Sequence, residues 1–167
     1  RIDFDPPNHV HWITAPAYET LDAFVCLSGA SGGFTTVSFR LNDLAEEYPG
    51  NFAPPTFTNL LPGNLSIGEW STGITLAATE CMTGGYVCVA CLTLFPLTGD
   101  PFCIHILDHP DYPRWVVGCE QPFGEVHYYC VHYHGLVNES LACLVGDCPD
   151  SSPTEPGTWG ALKALFR

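Results

Sequence analysis

Tyr86-Val87-Cys88-Val89-Ala90-Cys91-Leu92-Thr93-Leu94-Phe95 runs ten residues with no charge, no glycine and no proline. Its β-branched, aromatic and small apolar content suits a strand, where successive side chains alternate between two faces. One face then carries Tyr86, Cys88, Ala90, Leu92 and Leu94; the other carries Val87, Val89, Cys91, Thr93 and Phe95. Both are apolar, the pattern of a strand covered on each side, either within a layered core or at a subunit interface. The same alternation sends the Cys88 and Cys91 thiols to opposite faces. Cys88-x-x-Cys91 is therefore not read as a zinc knuckle or redox pair, which need converging sulfurs.

Outward from this segment, apolar alternation and turn residues recur at the short spacing of an all-β fold. Strands are predicted over 9–14, 23–28, 34–41, 64–70, 73–79, 86–95, 102–107, 115–119, 126–137 and 141–145. Glycine- and proline-rich breakers separate them, among them Gly29-Ala30-Ser31-Gly32-Gly33, Pro54-Pro55, Gly84-Gly85 and Thr98-Gly99-Asp100-Pro101. Asn42 is a fitting N-cap for one short helix over 42–48. A polar, proline-rich linker follows residue 150, and Trp159, Leu162, Leu165 and Phe166 then fall at helical spacing. The expected architecture is one β domain over 1–150, an antiparallel sandwich or flattened barrel of about eight to ten strands. A linker and short amphipathic helix occupy 151–167.

Nine cysteines in 167 residues, with lysine confined to Lys163, speak for an oxidising compartment. Cys81, Cys88, Cys91, Cys103, Cys119, Cys130, Cys143 and Cys148 are the disulfide candidates, and eight cysteines allow 105 pairings. Cys26, far from its neighbours in the chain, is the expected odd thiol. The sequons Asn64-Leu65-Ser66 and Asn138-Glu139-Ser140 fit export. The chain starts at Arg1 with no signal-like segment, so it reads as a processed piece of a longer precursor.

Eighteen acidic against five basic side chains give a net charge of −13. Such a chain offers no basic stripe for phosphates, which argues against nucleic acid, and it repels anionic lipid and glycans. No apolar run has the length of a membrane span.

Two stretches concentrate chemistry. In His105-Ile-Leu-Asp108-His109-Pro110-Asp111-Tyr112-Pro113-Arg114-Trp115, prolines stiffen a loop bearing side chains that dominate binding hot spots. His109, Asp111, Tyr112, Arg114 and Trp115 are the candidate contact residues. A catalytic acid–base pair from His109 and Asp111 is the weaker alternative. The uncharged aromatic stretch 48–62 and Trp70-Ser-Thr-Gly read either as further display loops or as cover for sheet edges.

In His127-Tyr-Tyr-Cys130-Val-His132-Tyr-His134, Cys130, His132 and His134 share a strand face, and His132-x-His134 can grip one metal. His9-x-His11 forms a second such pair. Together with Glu139 and Gly146, His132 and His134 resemble the first motif of the cupin family. The resemblance implies zinc or iron held by His132, His134 and Glu139 in a secreted metal-dependent enzyme. No second cupin motif follows Gly146.

These residues point foremost to a non-catalytic recognition module, secreted or displayed on a cell or virion surface, without a cofactor. A receptor-attachment domain of the spike type or a secreted binding protein would fit, with a host or cell-surface protein or a neutral glycan as partner. The alternatives are the metal enzyme and a structural coat protein self-associating through the 86–95 strand.

Overall fold

The computed structural model describes residues 1–10, 13–29, 32–112 and 115–119, together with the backbone of 12, 126–128 and 134–137. The architecture is all-β and sandwich-like. One sheet has four strands in the order β1 (Ile2–Asp3), β3 (Leu21–Ser28), β8 (Tyr86–Leu94) and β5 (Thr56–Asn59). The other is built round β4 (Phe34–Leu41), flanked on one side by β7 (Gly73–Met82). On its other side β10 (Trp115–Gly118) pairs with its first half and β9 (Phe102–Leu107) with its end. β6 (Leu65–Glu69) extends this sheet beyond β7, β11 (Val126–Tyr128) beyond β10, and β12 (His134–Val137) followed by β2 (Trp12–Ile13) beyond β9. The β12–β2 pair is parallel, a departure from the antiparallel rule of the rest.

The two sheets enclose an aliphatic and aromatic core. Ala23, Ala90, Leu92 and Leu94 from the smaller sheet are fully buried, as are Phe34, Leu41, Leu76 and Ile104 from the larger. Each large side chain removed from water in this way contributes roughly 1.5–3 kcal/mol.

β8 is where expectation and structure part. Register pairs Phe24 with Cys91 and Val25 with Ala90, but then Cys26 with Cys88, so Val89 is an extra residue in a β-bulge. Val89 turns inward and is buried, and its carbonyl accepts the Leu60 amide. Directly paired residues share a face, and Phe24 and Cys26 are two apart, so Cys88 and Cys91 lie on the same face. The opposite-face reading is thereby corrected. Among the described residues that outer face carries Asp22, Thr56, Thr58 and Thr93 beside the cysteines, with Thr93 donating to Asp22 Oδ1 at 2.7 Å.

The bulge also sets the disulfides. Cys26, expected to be the odd thiol, is bonded to Cys88 directly across β3 and β8, because the extra residue brings Cys88 into its register. Cys91, expected in a disulfide, is instead a buried reduced thiol. A second bridge joins Cys81 at the end of β7 to Cys119 just after β10, so it spans the two strands that flank the start of β4. Cys103 is disulfide-bonded as well. Cys130, Cys143 and Cys148 lie outside the described residues.

Three further expectations change. The short helix α1 (Leu44–Glu47) is capped by Asp43, whose Oδ1 accepts from Ala45 N and Glu46 N, and not by Asn42. Asn42 is buried and serves as a cross-strand tie: its Nδ2 donates to Cys103 O and Glu47 Oε2, and its Oδ1 accepts from His105 N. Of the expected strand over 126–137, the described residues contribute two separate strands, β11 paired with β10 and β12 paired with β9. β1 and β5 went unforeseen, the first only two residues long and the second an edge strand behind Pro54-Pro55. The strand over 141–145, the linker and the C-terminal helix fall outside the described residues.

Candidate functional site

The loop after β9 begins at Asp108, whose carbonyl accepts Arg40 Nε at 3.1 Å. His109 follows, and it is buried. Its Nδ1 accepts the backbone amides of Asp111 and Tyr112, both at 3.1 Å. An Nδ1 that accepts hydrogen bonds in this way carries no proton of its own. His109 thus does for this loop what an Asp or Asn side chain does in an Asx turn.

The other ring nitrogen is placed by Gly73 at the head of β7. A Cβ there would come within 2.9 Å of His109 Nε2 and 2.8 Å of Pro110 Cδ. With φ +147°, the residue also sits in backbone space that favours glycine. The loop consequently docks on the turn that joins β6 to β7. It brings His109-Pro110 against Gly73, the last residue of Trp70-Ser71-Thr72-Gly73, two stretches far apart in sequence.

Aromatic rings stack outward from this base. His109 and Tyr112 have centroids 5.1 Å apart, and Tyr112 and Trp115 4.8 Å, both pairs tilted. Tyr112 is 43% exposed, whereas Trp115 is half-buried where β10 starts. Asp108 and Asp111 are exposed on either side. The result is an aromatic step with carboxylates beside it, held at both ends by sheet. Such a surface can lay a ring against an apolar or cationic group while the carboxylates accept hydrogen bonds. Arg114 lies outside the described residues.

Catalysis finds less here. Nδ1 of His109 is occupied by two amides, and Nε2 faces the Gly73 backbone, so neither nitrogen is poised to take a substrate proton. Between the sheets lies a void of about 50 Å3 walled by Val25, Val37, Phe39, Val89, Ile106 and Val116. Ligand sites commonly measure about 300–1,000 Å3, well above this volume.

The metal candidates are only partly within view. His9 has φ +56°, its Nδ1 is 3.6 Å from Asp3 Oδ2, and its ring meets Tyr86 edge-on at 4.5 Å. β12 brings His134 into register opposite His105 on β9, a partner the sequence reading did not name. β2, next to the His9-x-His11 segment, is the other neighbour of β12. His11, His132, Glu139 and Asn138 lie outside the described residues. Among the described residues no group of three or more histidine, cysteine or acidic side chains is arranged to hold a metal.

The stretch 48–62 resolves toward packing. Tyr48, Phe52 and Phe102 form a mutually edge-on trio, and Tyr48 Oη accepts Cys103 N. Phe57 packs against Phe39. The partly buried rings of Tyr48, Phe52 and Phe57 anchor the loop to the core.

A second polar cluster surrounds Asp3, whose carboxylate is wholly buried. Tyr86 Oη donates to it at 2.5 Å, Asp5 N donates at 3.1 Å, and the Arg1 guanidinium is 3.7 Å away while lying over the Tyr86 ring. Burial, followed by the bond to Asp3, pushes the Tyr86 phenol up to about 12. Burial, and then the charge of Asp22, likewise raises the Cys91 thiol. Both groups are held in their neutral, unreactive forms. No family model, curated protein or solved structure matches the chain.

Proposed function

We propose that the protein is an extracellular recognition module that binds through the loop running from Asp108 to Trp115. The observation that carries this reading is the stacked step His109–Tyr112–Trp115, with its outermost usable ring exposed and its base locked by two backbone amides. A preorganised aromatic loses little conformational freedom on binding, which is why tyrosine and tryptophan dominate contact surfaces. Disulfides in a β scaffold fit an oxidising compartment. Among the described residues no helix is long and apolar enough to cross a membrane.

The flanking carboxylates and the net charge of −13 define the partner's chemistry. A neutral glycan, offering a C–H face to Tyr112 and hydroxyls to Asp108 and Asp111, suits the step. So does a basic patch on a cell-surface protein; anionic glycans and nucleic acid are repelled. The test is binding of labelled protein to an array of neutral and anionic glycans and to intact cells, wild type against Tyr112→Ala. Truncating an exposed hot-spot ring is expected to weaken binding at least about tenfold, since hot spots are worth 2 kcal/mol or more. The melting temperature should hold, because Tyr112 is 43% exposed and lies outside the buried hydrophobic core. Equal binding by the two proteins would refute the assignment of the loop.

A further inference from the structure

The outer edge of the larger sheet bears an unusual surface. Residues 63–69 are exposed without interruption. β6 pairs only with β7, so among the described residues its other backbone edge meets no strand. Leu65 and Ile67, two residues apart on one face, are 54% and 66% exposed, and Leu60 nearby is 42% exposed. A free edge with apolar side chains is a template for pairing with another chain, and proteins ordinarily blunt such edges with charge, proline or a covering element. Here Glu69 is the only charged residue on β6.

The same strand begins with Asn64-Leu65-Ser66. Asn64 is exposed in the turn that opens β6, with φ +49°, and follows Gly63 at φ +87°. This left-handed pair turns the asparagine out of the strand's pairing pattern. With the Asn64 amide turned to the orientation its neighbours can satisfy, the nitrogen lies 2.9 Å from Asn59 O and 3.3 Å from Leu61 O. Replacing one amide hydrogen leaves the other free to donate to one of these carbonyls. Ser66, the hydroxyl residue of the sequon, is exposed on β6.

We propose that Asn64 carries an N-linked glycan whose sugars cover the Leu65–Ile67 edge of β6 and keep it from pairing with a second copy of the chain. The modification joins Asn64 Nδ2 to the anomeric carbon of an N-acetylhexosamine donated by a lipid-diphosphate-linked oligosaccharide. The anomeric carbon–oxygen bond to the diphosphate breaks, the lipid diphosphate leaves with that electron pair, and the Nδ2 proton passes to the transferase's base. A branched glycan of several sugar rings is longer than β6, whose five residues span roughly 16 Å. The apolar faces of those rings suit Leu65 and Ile67, and their bulk blocks the strand edge. The inference rests on the extracellular part of the functional reading but not on its binding loop.

The experiment is expression through a eukaryotic secretory route, followed by peptide mapping and sedimentation of the secreted protein. Wild type, Ser66→Ala and Asn64→Gln are compared, since Ser66→Ala leaves the left-handed Asn64 in place. The expected result is a glycan on the peptide containing Asn64, lost in both variants. Wild type should sediment as a monomer. The variants should form dimers or larger species, which a further Ile67→Lys substitution returns to monomers. Secreted, oxidised protein with Asn64 bare would overturn the proposal while leaving the extracellular reading in place. An occupied Asn64 whose removal leaves the protein monomeric would overturn the covering role. Retention of the chain inside the cell with its cysteines reduced would overturn both.

Discussion

Gly33, at the threshold of β4, ties a backbone conformation to a covalent bond. Its φ is +77°, and a Cβ would lie 2.5 Å from Cys81 Sγ and 3.2 Å from Cys119 Sγ. Gly33→Ala therefore takes the left-handed cost of about 1–2 kcal/mol and must also displace the bridge. The melting temperature is expected to fall by several degrees, at about 2–4 °C per kcal/mol in a chain of this size. An unchanged melt would contradict the placement. Tyr86 gives a second prediction at this scale. Its phenol is raised from 10.0 to about 12 by burial and by donating to Asp3, so the neutral form belongs to the folded state. The stability this adds is fully present below pH 10 and is lost as the pH rises through about 12. Tyr86→Phe removes the group that titrates. Wild type should lose more melting temperature than the variant across that window; parallel curves would sink the assignment.

The loop after β9 behaves as one element because His109 organises it. His109→Ala leaves the Asp111 and Tyr112 amides without their acceptor and takes away the ring beneath Tyr112. Amide exchange at these two residues should accelerate at least about tenfold, the equivalent of losing one hydrogen bond of about 1.4 kcal/mol. His109→Asn, which keeps a short-range acceptor, should recover part of the protection. Equal exchange in all three proteins would mean the loop is held by something else. Sequence alone offered this loop as a contact surface but not its construction. The Gly73 seat is 36 positions from His109, and no local spacing rule connects them. β8 teaches the reverse lesson. Its apolar alternation was legible, yet reading faces by strict alternation assumes no inserted residue. Val89 is inserted, and so Cys88 and Cys91 came to share a face and Cys26 gained a partner.

Across the whole molecule, what was legible came from periodicity and turn chemistry, both local. They yielded the all-β class and most strands of the two sheets, because alternation reports burial on one face. They gave no pairing order: the placement of β12 beside both β9 and β2, or of β7 beside β4, is decided by contacts distant in sequence. Candidate site residues divide the same way. His109, Tyr112 and Trp115 came together because they share a loop, while His9 turned to Asp3 and Tyr86. The account stands or falls with an oxidised frame in which Cys81–Cys119 ties β7 to the end of β10, one of the two strands that carry the loop, and Cys26–Cys88 ties β3 to β8 in the facing sheet. A native bridge typically contributes about 2–5 kcal/mol, so the frame is energetically decisive. Disulfide mapping of the secreted protein, with thiols labelled before and after unfolding, tests it directly. The expected peptides link Cys26 to Cys88 and Cys81 to Cys119, with Cys91 labelled only after unfolding. A Cys88–Cys91 link, or free thiols at Cys26, Cys81, Cys88 and Cys119, would contradict it.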